Sequence, residues 1–170
     1  ESLTAAVEAD PDNARLVYDH GVAAYAAGRF EEALMSFDRP ESIGPTWLAR
    51  RARFQKGNAE FRVGIAARAS NLEETIARWR ESLRDFSEVL KGGDEPRARA
   101  NFEFVRRQLL DLLLADAKRN QTEARKPGLA PGEKLEKLRN AFERFTSAKE
   151  TDPENAEAQA GEQSSRNELA

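Results

Sequence analysis

No cysteine occurs among the 170 residues, and histidine occurs once. Disulfide scaffolding is thereby excluded, and zinc or haem sites have almost no ligands to draw on. The lack of cysteine suits the cytosol and the periplasm equally, so it says nothing about compartment. Long apolar runs are missing too. The longest, Leu109 to Ala117, is interrupted by Asp111 and Asp116 and falls well short of the roughly 20 residues a membrane-spanning helix needs. Charge of one sign is also lacking, since 27 basic and 30 acidic residues leave a net −3. No global field therefore draws the chain to nucleic acid or to an anionic membrane. Nucleotide-binding glycine loop, metalloprotease helix, nucleophile elbow and EF-hand loop are all absent. Lys91-Gly92-Gly93-Asp94 resembles a phosphate loop, but it follows a helical pattern and lacks the closing Gly-Lys-Ser/Thr, so it reads as a helix stop. Asp10-Pro11-Asp12-Asn13 could offer oxygens to calcium, yet no downstream Glu completes a loop, and helix capping is the better reading. The expectation is a chain with no catalytic residues, no metal and no cofactor.

What is present is helical. Hydrophobic residues make up 39% of the chain and charged residues 34%, enough apolar anchors for a thin core and too many for wholesale disorder. Leu3, Ala6 and Pro11 are separated by three and five residues. Phe37, Pro40 and Pro45 repeat those separations, as do Phe145, Ala148 and Pro153. Phe86 and Val89 keep the first step, with Asp94 in the proline's place and Pro96 two residues on. A large residue packs between helices, a small one three later lets the next helix approach, and proline starts the following helix. Leu3 to Phe37 is 34 residues, the tetratricopeptide period.

On these residues the chain resembles a tetratricopeptide repeat protein. In the first full repeat Gly21, Ala33, Phe37 and Pro45 match the family pattern. Val17 stands for its Trp, His20 for its Leu, and Ala24, with Tyr25 beside it, for an aromatic. The resemblance implies an all-α fold of stacked antiparallel helix pairs in a right-handed solenoid, as one domain over residues 1–170. Residues 1–11 would end a truncated repeat, 13–45 form a repeat, 46–93 a repeat with an insertion, 94–126 a long helix, and 133–169 the last repeat and a capping helix. The anchors Leu3, Phe37, Phe86 and Phe145 lie 34, 49 and 59 residues apart, so the later units carry insertions and the C-terminal half should be irregular.

Local signals refine the expected elements. Pro40 should end its helix early, near Asp38. The next helix should run from about Pro45 to Val63, with Trp47, Phe54 and Phe61 spaced by seven, followed by an insertion over residues 65–71. Ser70-x-x-Glu73 has the form of a capping box opening a long helix. There Leu72, Ile76, Trp79, Leu83, Phe86 and Leu90 form one seam that ends at Gly92-Gly93. Asp94 and Pro96 should start another helix, with Ala98, Phe102, Val105, Leu109 and Leu112 as its seam and Phe104, Leu110, Leu113 and Leu114 widening it. Residues 120–132 should be a loop. Leu135, Leu138, Phe142 and Phe145 mark a helix to about Thr151, and Asp152-Pro153 opens a final polar helix to about Leu169. Glu1-Ser2-Leu3 reads as helix interior rather than as a leader, which suggests a longer precursor. The single histidine, His20, is expected to pack or to hydrogen-bond between helices.

In tetratricopeptide proteins the first helices of successive repeats line a groove that holds a peptide. The resemblance implies Arg15, Tyr18, Val22 and Tyr25, with Arg51, Phe54, Asn58, Phe61 and Arg62, as groove residues. Helical spacing agrees in part, placing Tyr18, Val22 and Tyr25 on one stripe and Phe54, Asn58 and Phe61 on another. An Asn in such a stripe can hydrogen-bond a peptide backbone. The same aromatics could instead be core, a single stripe being expected to serve one purpose or the other. Arg50, Arg51, Arg53, Lys56, Arg62 and Arg68 form a basic segment with two readings. It could clamp the carboxylates of an acidic peptide, or be a solvated face paired with Glu60, Glu73 and Glu74. Some family members grip chaperone C-termini through a Lys and an Asn in the first repeat. Tyr18 and Val22 occupy those places here, so that activity is not implied. A looser likeness, over about a third of the chain, is to the repeat proteins of bacterial aerotolerance (Bat-type) clusters, through Gly57-Asn58-Ala59-x-Phe61 and the segment Ala98 to Arg107. It would make the protein bacterial, working in the periplasm or at the cell envelope. The expected partner is a protein or peptide, acidic if the basic segment serves the groove, with no nucleic acid and no membrane span. The rival from another class is a structural or oligomerising segment of a larger envelope-associated complex.

Overall fold

The computed structural model describes residues 3–170, apart from the side chains of residues 41 and 42. Glu1 and Ser2, two of the three residues read as helix interior, lie outside the described residues. Among those described there are eight helices and no strand: α1 Leu3–Ala9, α2 Ala14–Ala26, α3 Phe30–Ile43, α4 Thr46–Ala67, α5 Leu72–Lys91, α6 Pro96–Ala124, α7 Pro131–Thr151 and α8 Ala156–Leu169. The protein is all-α. It divides into two compact units, Glu1–Val105 and Arg106–Ala170.

In the first unit α2, α3, α4 and α5 each pack antiparallel on the next. The pairing of α2 with α3 is fixed by Tyr18 on Phe37 at 5.9 Å and Tyr25 on Phe30 at 5.3 Å. On α3 and α4, Asp38 meets Lys56 while the Arg62 guanidinium lies over the Phe30 ring at 4.6 Å. On α4 and α5, the Ser82 hydroxyl donates to the Gly57 carbonyl and the Thr75 hydroxyl to that of Gly64. Phe37 is fully buried because it lies against Gly21, where a Cβ would come within 2.6 Å of its ring. The amphipathic seam of α5 is buried where its largest residues lie, at Ile76, Trp79 and Phe86.

His20 joins three helices. Its Nδ1 lies 2.9 Å from the Ser36 hydroxyl of α3, and its Nε2 lies 3.3 Å from both Thr4 of α1 and the Glu32 carboxylate. Because the Ser36 hydroxyl already donates to the Glu32 carbonyl, it accepts from His20 Nδ1.

Three local expectations are corrected. α3 does not break near Asp38 but runs through Pro40 to Ile43. Proline removes one helical bond, but this ring is almost fully buried, and its apolar burial offsets the loss. The cap of α5 is Asn71 rather than Ser70. The Asn71 side chain accepts from Glu74 N at 3.1 Å, while Ser70 bonds backward to Ala67. The helix expected to end near Val63 continues to Ala67, taking in the first residues of the expected insertion.

The second unit contains the remainder of α6 with α7 and α8. α7 and α8 form an antiparallel hairpin in which Phe145 lies against Gly161, where a Cβ would fall 2.3 Å from the ring. The loop expected from residue 120 begins only after Ala124. Asn120 is buried and donates to the Asp116 carbonyl, Gln121 reaches Ser164, and Arg125 pairs with Glu168 of α8. The burial of Asn120 and the reach of Gln121 to α8 therefore accompany α6 through a polar stretch that has no local helix signal. Asp116, itself buried, accepts from Arg119 and from Arg144, the latter at 3.0 Å. α8 starts at an Asn155 cap that accepts from Ala158 N at 2.9 Å.

Glu162 accepts from Lys149 at 2.8 Å and meets Thr146 and Arg166. The Lys149 hydrogen bond holds its carboxyl below the ordinary 4.5. Its contribution is therefore present above pH 4.5 and is lost as the pH falls through the lowered value. Thermal melts between neutral and acid pH should show Glu162→Gln less stable than wild type at pH 7 and flatter in its acid response. Parallel curves would sink the assignment.

Candidate functional site

The face shared by α2, α4 and the start of α6 carries two neighbouring pockets, both within the first unit. The first, of about 400 Å³, is lined by Tyr18, Trp47, Arg50, Arg51, Phe54, Gln55, Val89, Glu95 and Arg97. The second, of about 230 Å³, is lined by Tyr25, Asn58, Phe61, Arg62, Phe86, Asn101, Phe104 and Val105. Seven of the nine groove candidates thus line one pocket or the other. Arg15 and Val22 line neither. Arg15 forms an (i, i+4) pair with Asp19 at 3.0 Å, and Val22 packs against the core cluster around Phe37.

The pockets are related by a simple step. Tyr18 and Tyr25, Arg51 and Asn58, Phe54 and Phe61, Gln55 and Arg62, Arg97 and Phe104 each pair a residue of the first pocket with one of the second, always seven positions on. Seven residues are two helical turns, about 10.5 Å. α2, α4 and α6 therefore run in the same direction here and present the same positions twice.

The aromatic residues pack on buried rings and at the same time line the two pockets. Tyr18, Phe54 and Phe61 are each half-buried. Tyr18 rests on Phe37, Phe54 on Phe86 at 5.8 Å and Phe61 on Trp79 at 5.4 Å, and the same three residues line the pockets. Phe61 also meets Phe104 edge-on at 5.5 Å, and Phe104 is 53% exposed. Phe37 of α3 and Trp79 and Phe86 of α5 thus back the pocket rings.

The basic segment divides by role. Arg50 caps the end of α5, donating through Nε to Val89 O at 3.2 Å and through Nη2 to Gly93 O at 2.7 Å. Arg53 lies 3.9 Å from Glu88, Lys56 pairs with Asp38, Arg62 covers Phe30, and Arg68 lies over Trp79. Of the acids read as partners of the basic segment, Glu60 and Glu74 pair with Arg78, and Glu60 also feels the charge of Lys56. Glu60 is buried, and that desolvation raises its pKa above 4.5 despite Arg78 beside it. Arg51 is exposed and makes no ion pair among the described residues, and the same holds for Arg97 across the pocket. Three guanidiniums against the single carboxylate of Glu95 make the first pocket electropositive.

Sequence reasoning missed the α6 contribution of Arg97, Asn101 and Phe104, and Gln55 on α4. The signal was available in the seven-residue steps, but a step becomes a site only when the neighbouring helix is known. An amide chain joins the linings of the two pockets, with Asn101 donating to Asn58 at 2.8 Å and Asn58 to Gln55 at 3.0 Å. Among the described residues no three His, Cys, Asp or Glu side chains gather in a way that could hold a metal ion, and no helix is long and apolar enough to cross a membrane. Comparison with protein-family models, with curated proteins and with solved structures gave no match.

Proposed function

We propose that the chain is a non-catalytic, tetratricopeptide-like scaffold that binds a partner protein or peptide in the groove formed by α2, α4 and α6. In this reading α2/α3 and α4/α5 are two repeats, and α6 begins a third whose first helix completes the groove. The observation that carries it is the pair of pockets, in which fixed aromatic rings, uncommitted guanidiniums and side-chain amides converge on one accessible face. Such a mixture of apolar surface with a few placed polar groups is what a recognition site requires. The rival, an oligomerising segment of an envelope-associated complex, would bury the broad seams of the long helices α5 and α6 against a second copy. Sedimentation over a concentration series separates the two, because self-association is expected only of the rival.

The direct test is affinity capture with the chain itself, comparing wild type with Arg51→Ala and Arg62→Ala together. The partner should be retained more weakly by the variant and with a flatter salt dependence, while helicity by circular dichroism is unchanged. Equal retention across salt would reject the groove.

A further inference from the structure

Resting on that peptide-binding reading, we infer that the occupant is an extended, polyproline II-like segment carrying an acidic side chain and a large apolar side chain three residues apart.

The step between the pockets sets the spacing. The two pockets repeat at about 10.5 Å along α4. A polyproline II chain returns to the same face every third residue, after about 9.3 Å. A β-strand returns every second residue, so its same-face positions fall at about 6.6 and 13 Å, on either side of the required step. A helical ligand could match with a seven-residue spacing, but its backbone groups are already bonded to one another. The amide chain asks for a bare backbone. After the Asn101–Asn58–Gln55 bonds are made, Asn101 keeps its carbonyl and one N–H, Asn58 one N–H, and Gln55 both N–H groups. Those match the unbonded N–H and C=O groups of polyproline II.

Charge and polarity assign the two side chains. The first pocket offers Arg51 and Arg97 without ion-pair partners among the described residues, which suits a carboxylate. In the second, the Arg62 guanidinium is engaged on Phe30, leaving Phe61 and Phe104 edge to face for an apolar group.

The test is fluorescence anisotropy with labelled proline-based peptides carrying Glu and Phe at a spacing of two, three or four. A fourth, alanine-based helical peptide carries the same pair seven apart. Trp47, 52% exposed in the first pocket, provides a second readout by quenching. The three-residue spacing should bind about 10-fold tighter than the others, a difference of about 1.4 kcal/mol. Arg51→Ala with Arg97→Ala should remove the advantage of Glu over Gln in the peptide. Asn101→Ala should weaken the proline-based peptides without touching that advantage. Equal affinity at all spacings overturns the inference. Preference for the helical peptide overturns it as well but leaves the groove intact, whereas no binding by any of the four would count against both.

Discussion

Phe37→Ala should lower the unfolding free energy by about 3–5 kcal/mol, the range for truncating a fully buried aromatic ring. Phe37 has no exposed surface and lies against Gly21 and Tyr18. The glycine pushes the cost toward the upper end, since it offers no side chain that could collapse into the cavity. It also supplies an internal control. Gly21→Val alone should destabilise, because its Cβ would sit 2.6 Å from the ring and overpacking of this kind typically costs about 1–3 kcal/mol. In the Phe37→Ala background the added methyls enter the vacated space, so the valine should become favourable. Urea denaturation of the four proteins yields the coupling, expected at about 0.5–3 kcal/mol in favour of the double variant. A Phe37→Ala cost below about 1 kcal/mol would mean that the ring does not hold α2 to α3.

Trp79→Ala is expected to be as costly, again about 3–5 kcal/mol, and to act on the groove as well. Trp79 is 1% exposed, lies against Gly64, and donates from Nε1 to the Phe61 carbonyl at 3.2 Å. Its ring supports Phe61 from behind. Removing it leaves Phe61 free to turn into the cavity, so under the peptide-binding role proposed above affinity should fall although Trp79 lines neither pocket. Trp79→Phe retains most of the packing and loses the one hydrogen bond, a cost of about 1 kcal/mol, and should bind almost as wild type. If Trp79→Ala unfolds no more readily than Trp79→Phe, the ring is not the prop we describe.

Much of the helical layout was legible along the chain. The 4-3-4-3-4 seam of α5 pointed to one buried face, and Ile76, Trp79 and Phe86 are buried on it. Gly92-Gly93 ended that helix where expected, after Lys91. The errors fell where a local rule met a tertiary partner. Pro40 is a breaker by local chemistry, yet α3 continues because the ring is buried. Residues 120–124 read as loop by composition, yet Asn120 is buried and Gln121 reaches Ser164 of α8, and the stretch remains helical. Ser70 and Asn71 are comparable caps by residue type, and in the fold Asn71 caps α5 while Ser70 bonds back to Ala67.

The sequence by itself determined an all-α chain and, on α5, the large residues of its buried face; on α4 the buried apolar residues are Leu48, Ala52, Ala59 and Val63 rather than the spaced aromatics Trp47, Phe54 and Phe61. Spacing of 3.6 residues per turn translates directly into a stripe, and apolar side chains leave water wherever that stripe meets another. Only the tertiary structure decided what the stripes serve. A period names a face of one helix but not the helix across from it, so nothing in the spacing of Phe54 and Phe61 could announce Arg97, Asn101 and Phe104. Nor could it show that a half-buried ring rests one side on the core and turns the other into a pocket.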